Sequence, residues 1–147
     1  GYWNKPEQSA EALRGGWMHT GDGATMDDDG FIFVVDRMKD MIISGGENVY
    51  PAEVENVLAQ HPAVAACAVI GIPSEQWGEA VHAVVVLKPG AAATDAALVE
   101  HCKAQIAHYK CPRSVEFVAQ LPLSGAGKVL KTALREPFWK GRQRGVA

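Results

Sequence analysis

Asp36-Arg37-Met38-Lys39-Asp40-Met41-Ile42-Ile43-Ser44-Gly45-Gly46-Glu47-Asn48-Val49-Tyr50-Pro51 is the stretch that decides the fold. It reads as the end of a strand, a charged break, a short apolar strand and a double-glycine turn, with a helix opening at Pro51. Two adjacent glycines allow positive φ, or let the backbone pass close to something bulky. Proline suits the first turn of a helix, where its missing N–H has no partner to lose. Taken alone, the stretch is equally well a β-hairpin with a polar corner.

Downstream of it, Val54, Val57 and Leu58 recur at helical spacing and form a buried stripe, with Glu53 and Glu55 near the positive end of the helix dipole. His61-Pro62 stops that helix. Residues 63–72 and 81–87 are strand-like, the second rich in β-branched side chains. Residues 73–79 between them read as a loop carrying Trp77. Thr94 predicts an N-cap for a helix over 95–108, with Leu98, Cys102, Ile106 and Tyr109 on one face. Residues 114–119 read as a last strand, 121–130 as a mobile loop holding Lys128, and 131–140 as a short helix before a disordered tail. The order helix, strand, strand, helix, strand predicts an α+β domain, a short central sheet flanked by helices.

Upstream, residues 6–13 predict a short helix that Gly15-Gly16 ends. Asp27-Asp28-Asp29-Gly30 is a hairpin turn, and residues 31–35 read as a buried strand. The acidic triplet is too closely spaced for a calcium loop.

With 147 residues, nearly half of them hydrophobic, the chain can bury a core. Its net charge of −3 argues against wholesale nucleic-acid binding, although residues 128–144 are locally basic. Cys67, Cys102 and Cys111 are odd in number and lack CxxC spacing, which fits reduced thiols in the cytoplasm. The five histidines form no metal-binding array, and no transmembrane segment or signal peptide is visible. The opening residues read as mid-domain sequence, so the expectation is a piece of a longer protein.

Lys128, after Gly125-Ala126-Gly127, is a cation able to meet an anion, or simply a solvated lysine. Pro122 and Val129 stand where a Walker phosphate loop needs Gly and Ser or Thr. Asp22 either hydrogen-bonds sugar hydroxyls or closes its own turn. Trp77 and Tyr109 either stack on a base or pack, and Lys110 is placed to meet a phosphate.

Together with Gly1-Tyr2-Trp3-Asn4-Lys5-Pro6-Glu7, Gly16-Trp17-Met18-His19-Thr20-Gly21-Asp22, Trp77-Gly78-Glu79, Tyr109-Lys110-Cys111-Pro112 and residues 121–131, the opening stretch resembles the C-terminal end of an acyl-CoA synthetase of the adenylate-forming (AMP-binding) superfamily. The motifs occur in the family's order over nearly the whole chain. The resemblance implies that residues 1–38 are the tail end of an N-terminal AMP-binding domain, 39–140 a small C-terminal lid domain and 141–147 a tail. It implies a ligase that uses ATP, Mg2+ and CoA to activate a carboxylic acid, expected to be a fatty acid, as an acyl-adenylate. Lys128 would be catalytic in that first step and Lys39 the hinge. Asp22 and Arg37 would bind the ATP ribose, and Gly45 and Gly46 would line the pantetheine channel. Trp77, Tyr109 and Lys110 would lie at the CoA nucleotide, and the Mg2+ site would lie outside this chain. The partner is the N-terminal domain of the same enzyme, without which the chain is expected to be inactive; no nucleic acid is expected. The alternatives are a luciferase-like or aryl-acid ligase lid domain, or a stand-alone module that binds a nucleotide, CoA or RNA through the basic segment. Which acid is activated stays open, because no acyl pocket is present.

Overall fold

The computed structural model describes residues 1–142 and 144. The chain divides into two compact units, residues 1–39 and a second from Asp40 onward.

In the first unit, helix α1 (Pro6–Ala12) starts on its proline and carries Glu7 in its first turn. Strands β1 (Asp22–Met26) and β2 (Ile32–Arg37) pair antiparallel, with a register shift between Gly23 and Ala24. Asp27 closes the turn between them: its Oδ1 accepts from the amides of Asp29 and Phe31 at 3.1 and 2.9 Å. One carboxylate of the acidic triplet is thus spent on the turn. The strand over 31–35 is not buried as its apolar sequence suggested. Ile32 and Val34 are each 69 % exposed. A two-stranded hairpin has no second layer to cover its faces.

The second unit is a mixed sheet with helices on both faces. β3 (Ile42–Ser44) and β4 (Glu47–Val49) form a hairpin through Gly45 and Gly46, at φ +63° and +86°. Two positive φ values in a two-residue loop suit glycine and match the strand twist. α2 (Pro51–Ala59) follows, then β5 (Val64–Ser74) and β6 (Gly78–Leu87), paired antiparallel along their whole length. The expected loop over 73–79 is therefore mostly strand, closed by a turn around Trp77. β6 shares its other edge between β3, at Ser44 against Gly78, and β7 (Ser114–Phe117), which runs parallel to it. α3 (Asp95–Lys103) makes the crossover to β7. Thr94 Oγ1 caps it, accepting from the Ala97 amide at 3.2 Å. The helix ends sooner than predicted, and Tyr109 falls in a separate single turn, His108–Lys110. That break delivers Cys111, 2 % exposed, to the core.

Val54, Val57 and Leu58 of α2, Leu98 and Cys102 of α3, and Val69, Val81, Ala83 and Val85 of the sheet form that core. Each fully buried aliphatic side chain gains about 1.5–3 kcal/mol by leaving water. The opposite face, with Ala68, Ile70, His82 and Val84, is buried as well. Helix α4 (Lys131–Trp139) covers it: Phe138 lies 5.2 Å from the His82 ring, and Trp139 Nε1 donates to Gly71 O at 2.9 Å. Burial on both faces explains why β5 and β6 read as apolar runs rather than alternating ones. The tail expected to be disordered is tied down at Arg144. Its guanidinium donates to both Glu79 carboxylate oxygens, at 2.8 and 3.0 Å, and to Met41 O at 2.6 Å. A carboxylate as buried as Glu79 demands such a partner. The rest of that expectation concerns residues 143 and 145–147, which lie outside the described residues.

Candidate functional site

In the first unit, Asp22 and Arg37 face each other in register at one end of the β1–β2 hairpin. Arg37 Nε lies 3.7 Å from Asp22 Oδ1. The Arg37 and Asp22 side chains are 69 % and 31 % exposed. Lys39 follows in a single 3-10 turn, Met38–Asp40. The next residue is held within the second unit: Arg135 Nη1 donates to Asp40 Oδ1 at 2.8 Å, with side chains only 12 % and 19 % exposed. The division between the two units falls directly after Lys39.

Two of the predicted residues meet at the double-glycine turn. The Gly45 amide donates to Trp77 O at 2.9 Å. A Cβ on Gly45 would stand 2.9 Å from Trp77 Cε3, whereas nothing lies within 4 Å of the corresponding position on Gly46. Gly45 is therefore accounted for by the indole, and Gly46 presents an open face. The Arg113 guanidinium lies 4.4 Å from the Trp77 ring, in cation–π range. Sequence reasoning missed Arg113, which follows Pro112 without any motif to announce it.

Tyr109 and Lys110 sit side by side, with Lys110 Nζ 5.8 Å from the Tyr109 ring centre. The ammonium is engaged by both oxygens of Glu53, at 2.7 and 2.8 Å. That hydrogen bond, with the Glu53 charge, raises the Lys110 pKa and keeps it cationic. A phosphate reaching Lys110 would share it with Glu53.

Lys128 stands on a loop closed by hydrogen bonds. Leu123 and Val129 bridge antiparallel, and Gly127 turns at φ +75°. Lys128 itself is exposed, and no ion pair among the described residues involves its ammonium. At the foot of the loop, Lys131 Nζ pairs with Glu55 Oε1 at 2.7 Å, and the same oxygen accepts from the Val69 amide at 2.7 Å. Beneath it, Cys67 is pushed up to about 11, by burial first and by Glu55 second. All three cysteines are free thiols. Among the described residues no group of three or more His, Cys, Asp or Glu side chains could hold a metal ion, and no helix is long and apolar enough to cross a membrane.

This chain is 55 % identical over 138 residues to a feruloyl-CoA synthase from Amycolatopsis sp., an alignment covering 94 % of the chain and 28 % of that protein. It is 49 % identical to the medium/long-chain-fatty-acid–CoA ligase FadD8 of Mycobacterium tuberculosis, over 99 % of the chain and 27 % of the relative. Among solved structures, ATP-bound MatB from Rhodopseudomonas palustris superposes with a TM-score of 0.86 at 39 % identity, covering 97 % of this chain and 29 % of that one. The o-succinylbenzoate CoA synthetase of Bacillus subtilis, bound to its acyl-adenylate, also gives 0.86, at 40 % identity over 91 % of this chain and 27 % of its own. The chain spans little more than a quarter of the length of these relatives. Residues 53–128 match the AMP-binding enzyme C-terminal domain, and the chain belongs to that family.

Proposed function

We propose that this chain is the C-terminal part of an ATP-dependent, AMP-forming acyl-CoA synthetase. The observation that carries the reading is the identity to CoA ligases along nearly the whole chain. In the first half-reaction, a substrate carboxylate oxygen attacks the α-phosphorus of ATP. The acyl–AMP bond forms and pyrophosphate leaves. In the second, the CoA thiol attacks the acyl carbon, giving the thioester and AMP.

Lys128 supplies a preorganised cation where the carboxylate and α-phosphate converge, offsetting charge that would otherwise oppose the attack. Asp22 and Arg37 take the ATP ribose. Lys39 is the pivot about which the second unit turns between the half-reactions. That turn exchanges the Lys128 loop for the β3–β4 hairpin at the reacting centre. The open face of Gly46 leaves room for the pantetheine arm, and Trp77, Tyr109 and Lys110 lie towards the CoA nucleotide. Mg2+ would accompany the nucleotide. The adenine site, acyl pocket and phosphate loop would belong to an N-terminal domain of the same enzyme, with residues 1–38 as its last strands. The 147-residue chain by itself would be inactive. The three free thiols support a cytoplasmic setting.

We take the acid to be a fatty acid, in keeping with the FadD8 relative. An aryl acid is the second reading, favoured by the feruloyl-CoA synthase relative. The full-length protein carrying Lys128→Ala tests the mechanism. Acid-dependent pyrophosphate exchange should fall about 100- to 1,000-fold, the usual effect of losing one preorganised electrostatic donor. Thioester formation from supplied acyl-adenylate should persist. Equal loss in both half-reactions would refute the role of Lys128.

A further inference from the structure

The main chain of Lys128 is held on both sides by one residue, Ser124. The Ser124 amide donates to Lys128 O at 2.8 Å, and the Lys128 amide donates back to Ser124 Oγ at 3.2 Å. Gly127 N donates to Ser124 O at 2.9 Å, which closes the turn inside this pair. Outside it, Leu130 N donates to Pro122 O at 2.8 Å. Residues 122–130 are therefore a miniature hairpin with Lys128 on its returning leg. Three of these bonds join main-chain groups and survive any side-chain change. The bond to Ser124 Oγ alone depends on a side chain, and it holds the amide of the lysine itself. The hairpin's exit is anchored by the Lys131–Glu55 pair, whose side chains are 16 % and 21 % exposed.

We propose that Ser124 is a positioning residue for Lys128. Its hydroxyl fixes the lysine main chain in the fold, so that only the Lys128 side chain is left to order when the anions arrive. A flexible cation loses conformational freedom at the moment it meets a developing charge, whereas one on a fixed backbone has lost the main-chain share beforehand. The inference rests on the role proposed above for Lys128. A serine or threonine satisfies it, because both present an acceptor at the γ position; valine keeps threonine's shape without the acceptor.

The test compares Ser124→Val with Ser124→Thr, first by amide hydrogen exchange on the 147-residue chain. Exchange at the Lys128 amide should quicken about five- to tenfold in Ser124→Val, the effect expected of one lost neutral hydrogen bond. Ser124→Thr should stay within about twofold of the parent. Unchanged exchange in Ser124→Val would overturn the proposal whatever the protein catalyses. In the full-length protein, Ser124→Val should lower kcat for pyrophosphate exchange by a similar factor at unchanged KM for the acid, with thioester formation from supplied adenylate unaffected. In a Lys128→Ala background it should add nothing further, because a residue acting through the lysine has nothing left to position. If Lys128→Ala leaves acid activation intact, the reading of the lysine fails. If Lys128→Ala abolishes activation while Ser124→Val retains it, or if Ser124→Val weakens both half-reactions alike, the positioning role fails.

Discussion

His82 sits on the β6 face beneath α4, 5 % exposed, and shares a hydrogen bond of 2.7 Å between Nδ1 and Ser114 Oγ. Its Nε2 has no hydrogen-bond partner among the described residues and lies 3.6 Å from Glu116 Oε2. Burial lowers the pKa, and Glu116 opposes that only in part. A histidine whose folded pKa lies below its unfolded value takes up protons more readily once unfolded. Its stabilising contribution is complete above the unfolded value, near 6.5, and is lost as the pH falls through the folded one. Between about pH 7.5 and pH 5 the urea midpoint of the chain should drop, and His82→Gln should reduce the slope. Parallel slopes for the two proteins would show that the stability change arises elsewhere. Nothing in the sequence marks this residue among five histidines, since its significance comes from Ser114, Glu116 and Phe138, all distant along the chain. The same holds for Arg113, whose partner Trp77 is also far off along the chain. Ser124 is local, four residues before Lys128, yet only its hydrogen bond and not its residue type singles it out. Lys128 is visible because Gly125-Ala126-Gly127 precedes it.

At the scale of elements, α2 is legible because Pro51 and the Val54, Val57, Leu58 stripe are local signals. Strands β5 and β6 are legible as apolar runs, but their ends are not. Pro73, Ser74, Gly78 and Glu79 look like loop residues, and pairing along the full length of both strands overrides that appearance. β4 is similarly hidden, since Glu47 and Asn48 carry no strand signal and are ordered by pairing with Ser44 and Ile43. The hairpin they form allows two predictions. Alanine at either Gly45 or Gly46 meets a left-handed backbone, costing about 1–2 kcal/mol. At Gly45 the added methyl also overlaps Trp77. Gly45→Ala should therefore destabilise more than Gly46→Ala, by about 1 kcal/mol or more in urea unfolding. Equal losses would mean that the indole moves aside freely. In the full-length protein, Gly46→Leu should obstruct thioester formation while sparing acid activation. If the CoA step were spared instead, Gly46 would not line the thiol's path.

For the whole molecule, the decisive contrast is in burial. The core residues Val54, Leu58, Val81 and Leu98 all belong to the second unit, and no residue from 1 to 39 is buried. Apolar side chains of the first unit, Trp3, Trp17, Met26, Ile32 and Val34 among them, stand exposed. An α/β layer stabilises itself by removing such surface from water, and an uncovered hairpin has no comparable gain. That contrast supports the proposal that residues 1–38 complete a larger domain, and it explains why their strand was legible in the sequence while its burial was not. It also implies that the two units respond differently to heat when each is made separately. The segment beginning at Asp40 should melt in one cooperative step by circular dichroism, because the sheet, three helices and the Arg135–Asp40 pair all lie within it. Residues 1–39 should show a shallow, non-cooperative change, since isolated two-stranded hairpins are marginal in water. A cooperative transition in the first segment would require a core that its exposed side chains do not form. A non-cooperative second segment would mean that its core does not hold without residues 1–39, and that the division at Lys39 does not separate independently folding bodies.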